Sequence, residues 1–406
     1  MAIKLGSRFD KLTIASGISN IGDGVMGAAF PLLVAAITRD PLLVAGATLV
    51  GRLPWLLFAL ISGALVDRMD RKRVMVITDI LRAVGVGILA LGLWAGDVGL
   101  VLIYVVAFGL GVAETFFDTS AEALTPRLVT NDQLTAANGR LQALEFVGGA
   151  LAGPPVGAFL FAVTVSLPFV FDSVSFAIAA LFVALIPGVY RSDRVTESSV
   201  GEDIREGLRW LWGQKVIRTL VMMAGVINLF SFAVFAIFVL FAQDILGVDN
   251  VGYGLLISVI GVGGLVGALV SPRIVKRIGP GNTLRVVVGG SAILTWIFGG
   301  LSNVWAAVAV MVLYGFLITG WNVVSVSLRQ TLTPDELRGR VSGSARLLAW
   351  GTQPLGALLG GVLGSIYGVR APFFVGAVAY AVMLFVTWTI TSNKSIEEAR
   401  AAAPSA

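Results

Sequence analysis

The chain has 406 residues, of which 57% are hydrophobic and only 13% are charged. A soluble domain carries roughly 25% charged residues, so this composition excludes an ordinary soluble protein and favours one that lies in a lipid bilayer. The sequence contains no cysteine and no histidine. It therefore excludes disulfides, thiol catalysis and thiolate metal sites, and any proton carried near neutral pH must be carried by carboxylates.

Apolar stretches long enough to cross a membrane occur along the whole chain. A spanning helix needs about 20 mostly apolar residues. Twelve stretches qualify and predict an all-α polytopic membrane protein with twelve transmembrane helices. They lie at 12–37, 43–66, 74–96, 99–121, 137–163, 167–188, 217–243, 251–272, 284–302, 304–326, 341–367 and 371–391.

Lysine and arginine are concentrated in alternate connections between these stretches. With the N-terminus inside, the cytoplasmic connections hold nearly all of the 29 basic residues. The positive-inside rule then predicts that both the N- and C-termini are cytoplasmic. The net charge of +5 follows from this placement and does not indicate a nucleic-acid partner. We expect a monomer in the bacterial inner (plasma) membrane, with the lipid bilayer as its surroundings.

The sequence repeats itself at about half its length. Gly63–Val66 recurs as Gly267–Val270, and Thr130–Leu134 recurs in modified form as Thr333–Leu337. Three glycines of the fifth stretch also recur in the eleventh: Gly148, Gly153 and Gly157 correspond to Gly351, Gly356 and Gly360. The repeat predicts two pseudo-symmetric six-helix bundles, with the substrate site between them.

These patterns divide the chain into four parts. The six-helix bundles are expected at 1–188 and 217–392. The linker at 189–216 contains a predicted amphipathic helix, which either lies along the membrane surface or is solvated. The tail at 393–406 is expected to be cytoplasmic and disordered.

The segment after the second stretch reads Gly63-Ala-Leu-Val-Asp67-Arg68-Met-Asp70-Arg71-Lys72-Arg73. It resembles the loop between helices two and three of the major facilitator superfamily, whose pattern is G-x-L-a-D-r-x-g-r-k-x. Glycine is usual where Asp70 stands, and an acid there resembles the subgroup of macrolide-efflux, Tap-like multidrug and siderophore exporters. The resemblance implies that Asp67 locks the cytoplasmic side against a neighbouring helix end. The alternative is a positive-inside anchor in which Asp67 has no defined role.

The resemblance also implies a cytoplasmic gate around this loop. Its arginines are expected to brace the loop. From their positions in the sequence, Asp118 of the fourth helix is expected to belong to the cytoplasmic gate, and Arg346, at the start of the eleventh helix, to serve the gate of the second half. The expected gate residues are Gly63, Asp67, Arg68, Asp70, Arg71, Arg73, Asp118 and Arg346.

The fifth stretch contains Gly149-Ala-Leu-Ala-Gly153-Pro154-Pro155-Val-Gly157-Ala158. It resembles the antiporter motif G-x-x-x-G-P-x-x-G-G, with Ala158 in place of the last glycine. Small residues four apart allow close helix packing, and a mid-helix proline bends the helix. Gly149, Gly153, Pro154 and Gly157 therefore imply an exporter, and an ordinary glycine-rich packing seam is the alternative.

Ionisable residues inside the predicted helices cost at least about 2.5–3.5 kcal/mol each at the membrane centre and so indicate function. Asp23 lies about 16 Å along the first helix and is the first candidate for the proton carrier, or else a structural partner of Arg52. Glu114 is the second candidate, for protons or for a cationic substrate. Glu145 is closer to the inner surface and is either a gate residue or a carrier.

An acidic wall facing an aromatic, weakly polar wall suits amphipathic compounds, including cations. The residues expected to line such a cavity are Asn20, Asp23, Glu114, Asn228, Phe232, Trp321, Asn322 and Gln353.

Together these features predict proton-coupled efflux (antiport) of small amphipathic compounds, including multiple drugs, by alternating access. The expected energy source is the proton gradient, with no cofactor and no metal, and a role in antibiotic resistance follows. Two alternatives are a proton symporter that imports a small metabolite, and an exporter dedicated to a siderophore or lipid-like metabolite. An enzyme is not expected, because the sequence has no H-E-x-x-H, Walker or nucleophile motif.

Overall fold

A computed structural model describes residues 5–191 and 200–402 of the chain. Parts of the sequence predictions lie outside these residues, namely the first four residues, 192–199 of the linker and 403–406 of the tail.

The part of the chain before the linker is helical. A seven-residue π-helix, Phe146–Ala152, joins α5 to α6. The α-helices are α1 (Ser7–Ile37), α2 (Pro41–Val66), α3 (Arg71–Ala95), α4 (Leu100–Leu128), α5 (Leu134–Glu145), α6 (Gly153–Val163) and α7 (Leu167–Ala184).

The part from the linker onwards is helical as well, with a second π-helix at Phe241–Ile245. Its α-helices are α8 (Val200–Gly213), α9 (Lys215–Phe235), α10 (Phe238–Leu240), α11 (Asn250–Ile278), α12 (Pro280–Gly300), α13 (Val304–Leu332), α14 (Arg338–Trp350), α15 (Thr352–Tyr367), α16 (Ala371–Thr387) and α17 (Asn393–Ala402).

Eleven helical stretches in the described residues are long and apolar enough to cross a membrane, and α16 is a shorter apolar helix of 17 residues. The prediction of an all-α polytopic membrane protein with twelve spans is confirmed. Some helices continue beyond the predicted ends, as α4 does to Leu128 and α13 to Leu332. Hydropathy marks only the apolar part of a helix, whereas backbone hydrogen bonding continues into polar sequence.

The chain forms two compact units. The first comprises Met1–Arg39, Gly46–Thr196 and Val248–Ser258, and the second Asp40–Ala45, Glu197–Gly247 and Val259–Ala406, less the residues that are not described. In the first unit α3 packs on α4 and α7, and α1 packs on α6 and α7. In the second unit α12 packs on α13 and α16, and α9 packs on α15 and α16. The two units therefore share one packing pattern, as the sequence repeat predicts.

Glycines make the closest helix contacts in both units. Gly153 lies against the backbone of Gly24 in α1, so that a Cβ added to either glycine would overlap the other helix. In the second unit, Gly356 and Gly360 lie against the backbone of α9 in the same way. Lipid provides no hydrophobic drive for helix association, so such close van der Waals packing stabilises each unit.

Two polar side chains cap equivalent helices in the two units. Asp70 caps α3, because its carboxylate accepts hydrogen bonds from the backbone N–H groups of Lys72 (3.0 Å) and Arg73 (3.3 Å). The corresponding helix α12 has no acid before it. Its N-terminal N–H at Gly281 donates instead to the side-chain oxygen of Asn393, at 2.7 Å.

Asn393 begins α17, so the expectation of a disordered tail is wrong for Asn393–Ala402. Its amide nitrogen also donates to the carbonyl of Ile278 at 2.9 Å. One turn later, Ile396 is fully buried in the core of the second unit. A polar cap and one buried apolar side chain thus hold a segment whose composition alone indicates a solvated tail.

The amphipathic helix predicted in the linker is present as α8. Leu211 is fully buried in the core of the second unit, and Gly207 lies against the backbone carbonyl of Arg340 in α14. Glu206 forms an ion pair with Arg340 at 2.8 Å. These contacts place the apolar face of α8 on α14, where neither the membrane-surface interpretation nor the solvated one had placed it.

Replacing Asn393 with alanine should destabilise the second unit, because it leaves the first N–H groups of α12 without their acceptor. Loss of an N-cap side chain costs about 0.5–2 kcal/mol. We expect a lower thermal midpoint for the purified protein in detergent, measured by tryptophan fluorescence. Asn393→Asp keeps the acceptor for α12 but loses the donor to Ile278. Its thermal midpoint should lie between those of the wild-type protein and the alanine variant. An unchanged midpoint for the alanine variant would show that the cap is not stabilising.

Candidate functional site

A buried arginine lies at the centre of the first unit. Arg82 is the twelfth residue of α3 and is 3% exposed. Its Nη2 donates to Oδ1 of Asp79 at 2.7 Å, within the same helix. Asp79 is fully buried. A buried ion must be compensated by a partner charge and hydrogen bonds, and this short charge-assisted bond provides the main compensation.

Two aromatic rings, each from a neighbouring helix, contact the guanidinium group of Arg82. Its Cζ lies 4.5 Å from the ring centroid of Phe117 in α4 and 4.4 Å from that of Phe176 in α7. A cation over the face of an aromatic ring is attracted to it, more strongly where water is excluded. The guanidinium position is therefore fixed by three helices.

A second carboxylate approaches the same arginine from α1. Oδ1 of Asp23 lies 3.9 Å from Nη1 of Arg82, and the hydroxyl of Ser19 donates to Oδ2 of Asp23 at 3.4 Å. The Asp23 side chain is 42% exposed, unlike that of Asp79. One arginine thus faces two carboxylates, of which Asp79 is held tightly and Asp23 loosely.

A separate ion pair lies between α2 and α4. Nη1 of Arg52 is 3.7 Å from Oε1 of Glu114, and both side chains are partly exposed. Arg52 thus forms an ion pair with Glu114 and Asp23 forms one with Arg82, while Asp23 and Arg52 also interact electrostatically. Asp79 and Arg82 form the third ion pair of this region, within α3.

Two more acids complete a charged cluster, which we define as Asp23, Arg52, Asp79, Arg82, Glu114, Asp118 and Asp172. Asp118 interacts electrostatically with Glu114, Arg82 and Asp23, and with Glu145 as well. The side chain of Asp118 is exposed, and its assignment to the gate stays a prediction. Asp172 of α7 is fully buried, and Ser175 donates to its Oδ1 at 3.1 Å. No lysine or arginine among the described residues forms an ion pair with Asp172 within 4.0 Å.

The loop after α2 forms a connected set of polar contacts. Asp67 pairs with Arg71 at 3.4 Å, and the backbone N–H of Arg71 donates to the carbonyl of Tyr190 at 3.3 Å. Lys72 donates to the carbonyl of Ile186 at 2.9 Å. In this loop the helix N-terminus is capped by Asp70, whereas Asp67 forms an ion pair. The side chains of Arg68 and Arg73 are exposed.

The residues of the antiporter motif lie beside the helix that carries Asp23. Gly153 contacts Gly24, Gly157 contacts Val25, and the Cα of Gly149 also lies close to Gly24. The preceding Gly148 lies against the backbone of Asn20. The motif and the preceding Gly148 therefore together fix the position of α1 on both sides of Asp23.

The predicted residues of the second unit are not all brought together. Gln353 donates to the side-chain oxygen of Asn228 at 3.2 Å, and Phe232 contacts Phe235 with 5.9 Å between ring centroids. The side chain of Asn322 is exposed. Arg346 stacks on Trp350, with 5.5 Å from its Cζ to the ring centroid.

The structure corrects the assignment of Trp321 to a substrate cavity. Trp321 is 5% exposed and packs in the hydrophobic core of the second unit. It lines a cavity of about 10 Å³ beside Tyr314 and Tyr380. That volume accommodates about one water molecule and no substrate.

Sequence reasoning missed the contact of Arg82 with Asp23 and its two aromatic neighbours. Asp23 is the seventeenth of 31 residues in α1, and Arg82 the twelfth of 25 in α3. Both residues therefore lie near the middle of their spans. This common depth was the sequence feature that could have indicated their contact. In the part of the chain that the structure describes, no group of three or more acidic side chains could hold a metal ion.

The chain is similar to known bacterial exporters over most of its length. It is 30% identical over 380 residues to the multidrug efflux pump Tap of Mycolicibacterium fortuitum, covering 89% of this chain and 90% of Tap. It is 26% identical over 369 residues to the enterobactin exporter EntS of Citrobacter koseri (90% and 87% covered). It is 24% identical over 375 residues to macrolide efflux protein A of Streptococcus pyogenes (89% and 91% covered). The resemblance to this subgroup of exporters is confirmed.

A solved structure has the same fold. A bacterial homologue of the iron transporter ferroportin, in its inward-facing state, superposes with a TM-score of 0.76 at 17% identity, covering 95% of this chain and 98% of that chain. Residues 6–405 match the family model of the major facilitator superfamily that is described as transmembrane secretion effector. The chain is thus a multi-pass membrane transporter and not an enzyme, and it belongs to the transmembrane secretion effector family of the major facilitator superfamily.

Proposed function

We propose that this transporter exports small amphipathic compounds, including drugs, in exchange for protons. The similarity to three proteins named as exporters supports the direction of transport. The observation that carries the coupling is that one buried arginine, Arg82, faces two carboxylates, Asp79 and Asp23.

The difference between these two carboxylates supports Asp23 as the proton carrier. When Asp23 and Asp79 are both ionised, these two acids and Arg82 together carry a net charge of one negative unit. A net charge inside the membrane is costly. A proton on Asp23 removes that charge. Asp79 is held at 2.7 Å and fully buried, whereas Asp23 is at 3.9 Å and 42% exposed. Asp23 is therefore the acid that can leave Arg82 and exchange a proton.

Antiport follows if the substrate and the proton compensate the same negative charge. A cationic compound near Asp23 and Glu114 makes the ionised form of Asp23 favourable, and its departure makes the protonated form favourable. Either ligand therefore weakens the binding of the other, which is a reciprocal coupling between two sites. Glu114 would contribute by exchanging its ion pair with Arg52 for one with the substrate.

The loop and the motif serve alternating access in this proposal. The Asp67–Arg71 pair and the cap at Asp70 order the end of α3 that is predicted to be cytoplasmic. The antiporter motif holds α1, so that movement of the fifth span moves Asp23 relative to Arg82. Both termini are proposed to be cytoplasmic, and the protein to act as a monomer.

The similarity to an enterobactin exporter favours a second candidate function, namely export of one dedicated metabolite such as a siderophore. Competition assays distinguish the two candidates. A drug exporter is inhibited by several unrelated amphipathic cations, whereas a dedicated exporter is inhibited only by its own substrate and close analogues.

Expression in an efflux-deficient bacterium should lower the accumulation of ethidium, an amphipathic cationic dye, and a protonophore should abolish the difference. The physical reason is that outward movement of the cation requires inward movement of protons. Dye fluorescence in energised cells measures the accumulation, with cells that carry an empty vector as the control. A rise in accumulation on energisation would instead indicate the symporter.

Asp23→Asn should abolish uphill export driven by a pH gradient and leave downhill exchange of dye partly intact. Asparagine keeps the size and hydrogen bonding of the side chain but cannot titrate. The measurement is dye transport in inverted membrane vesicles at matched protein level, with and without a pH gradient. Asp97→Asn, the same change in the exposed turn between α3 and α4, is the control.

If Asp23→Asn still drives uphill export with unchanged pH dependence, another acid carries the proton. Asp172 and Glu145 are then the next acids to replace.

A further inference from the structure

The fifth span contains a break in α-helical hydrogen bonding at two consecutive prolines. Phe146–Ala152 is a π-helix, and α6 begins at Gly153 just before Pro154 and Pro155. In an α-helix each N–H donates to the carbonyl four residues earlier, and proline has no N–H. Pro155 therefore removes the α-helical donor of the Leu151 carbonyl. Such a carbonyl is costly to bury unless another donor reaches it.

A serine from a distant helix supplies that donor. The hydroxyl of Ser258 in α11 donates to the carbonyl of Leu151 at 2.8 Å, across 107 residues of sequence. Ser258 is 8% exposed and belongs to the first compact unit, as Leu151 does. The hydrogen bond that the proline removes from the helix is thus replaced by a bond between helices.

One turn before Ser258, a glycine allows α11 to come this close. A Cβ added at Gly254 would overlap the methyl group of Ala158, and the carbonyl oxygen of Pro154 lies at 2.6 Å from the same point. Ala158 is the position where this chain departs from the antiporter motif, which has glycine there. The small residue needed at this contact is therefore on the facing helix, at Gly254.

Another face of the same segment contacts α1. Gly153 and Gly157 lie on Gly24 and Val25, next to Asp23. The π-helix and α6 together therefore contact both α1 and the first turns of α11. Their position depends on contacts with both helices.

We propose that Ser258 is a positioning residue for transport. By donating to the Leu151 carbonyl, it holds the π-helix and α6 in the place that fixes α1 and its Asp23 beside Arg82. Gly254 provides the close approach that this bond requires. The inference rests on the proposed function only for the consequence in transport, since the hydrogen bond itself is tested separately.

The test is a double-mutant cycle between Ser258 and Pro155. Ser258→Ala removes the interhelical donor, and Pro155→Ala supplies a backbone N–H that can reach Leu151 from within the helix. Pro155 occupies a variable position of the antiporter motif. Two measurements are made on all four proteins, namely the initial rate of ethidium export at matched expression and the thermal midpoint of the purified protein. Ser291→Ala, a serine in α12 that is also 8% exposed, is the control in both backgrounds.

We expect Ser258→Ala to lower the maximal export rate about fivefold to tenfold, the scale of one buried carbonyl left without its donor. The KM for dye should not change, because Ser258 acts through the helix and not on the substrate. In the Pro155→Ala background, Ser258→Ala should change neither the rate nor the midpoint. If Ser258→Ala alone does not accumulate in the membrane, the double variant should accumulate as well as Pro155→Ala does.

Equal losses in both backgrounds would overturn the proposal, because the serine would then act only by packing. A wild-type rate and midpoint for Ser258→Ala, or a change in KM in place of the rate, would also overturn it. If the wild-type protein does not export dye, the proposed function fails. The midpoints of the four purified proteins then still decide whether the Ser258 bond replaces the one that Pro155 removes.

Discussion

Arg82 carries a permanent positive charge in the middle of a membrane-spanning helix, and the interior of the first unit is arranged around it. Moving such a charge out of water costs several kcal/mol, which only partner charges and hydrogen bonds can offset. Asp79 supplies the main compensation at 2.7 Å, and Phe117 and Phe176 enclose the guanidinium group. Asp23 is then a second acid at an arginine that already has its partner. Because Asp79 already compensates the charge of Arg82, Asp23 is a candidate for reversible protonation.

The two units use the same helix packing for different chemistry. Both are held by glycines that bring the fifth or eleventh span onto the first or seventh. The interior of the first unit is ionic, whereas that of the second is neutral and hydrogen-bonded. There, Ser231 bonds the hydroxyls of Tyr314 (3.1 Å) and Tyr380 (3.2 Å). We infer that proton coupling belongs to the first unit, while the second contributes shape and apolar surface.

Hydropathy was sufficient to predict the twelve spans, because it depends on local composition. The partners of the buried charges could not be predicted in the same way. Whether Arg52 meets Asp23 or Glu114 depends on the rotation of three helices, which a hydropathy profile does not report. The cap at Asn393 was missed for a similar reason, since a side chain over 100 residues away reaches α12 only in the folded unit. Ser258 was missed because its partner is a backbone carbonyl.

The central claim, that Asp23 exchanges a proton when substrate binds, is tested most directly by proton release from the purified transporter. Ethidium is added to the protein in weakly buffered detergent solution near neutral pH, and a pH indicator records the protons released. If Asp23 carries the proton, the wild-type protein releases protons as it binds dye, and Asp23→Asn binds dye without releasing them. Equal release from both proteins would contradict the assignment of Asp23 as the proton carrier.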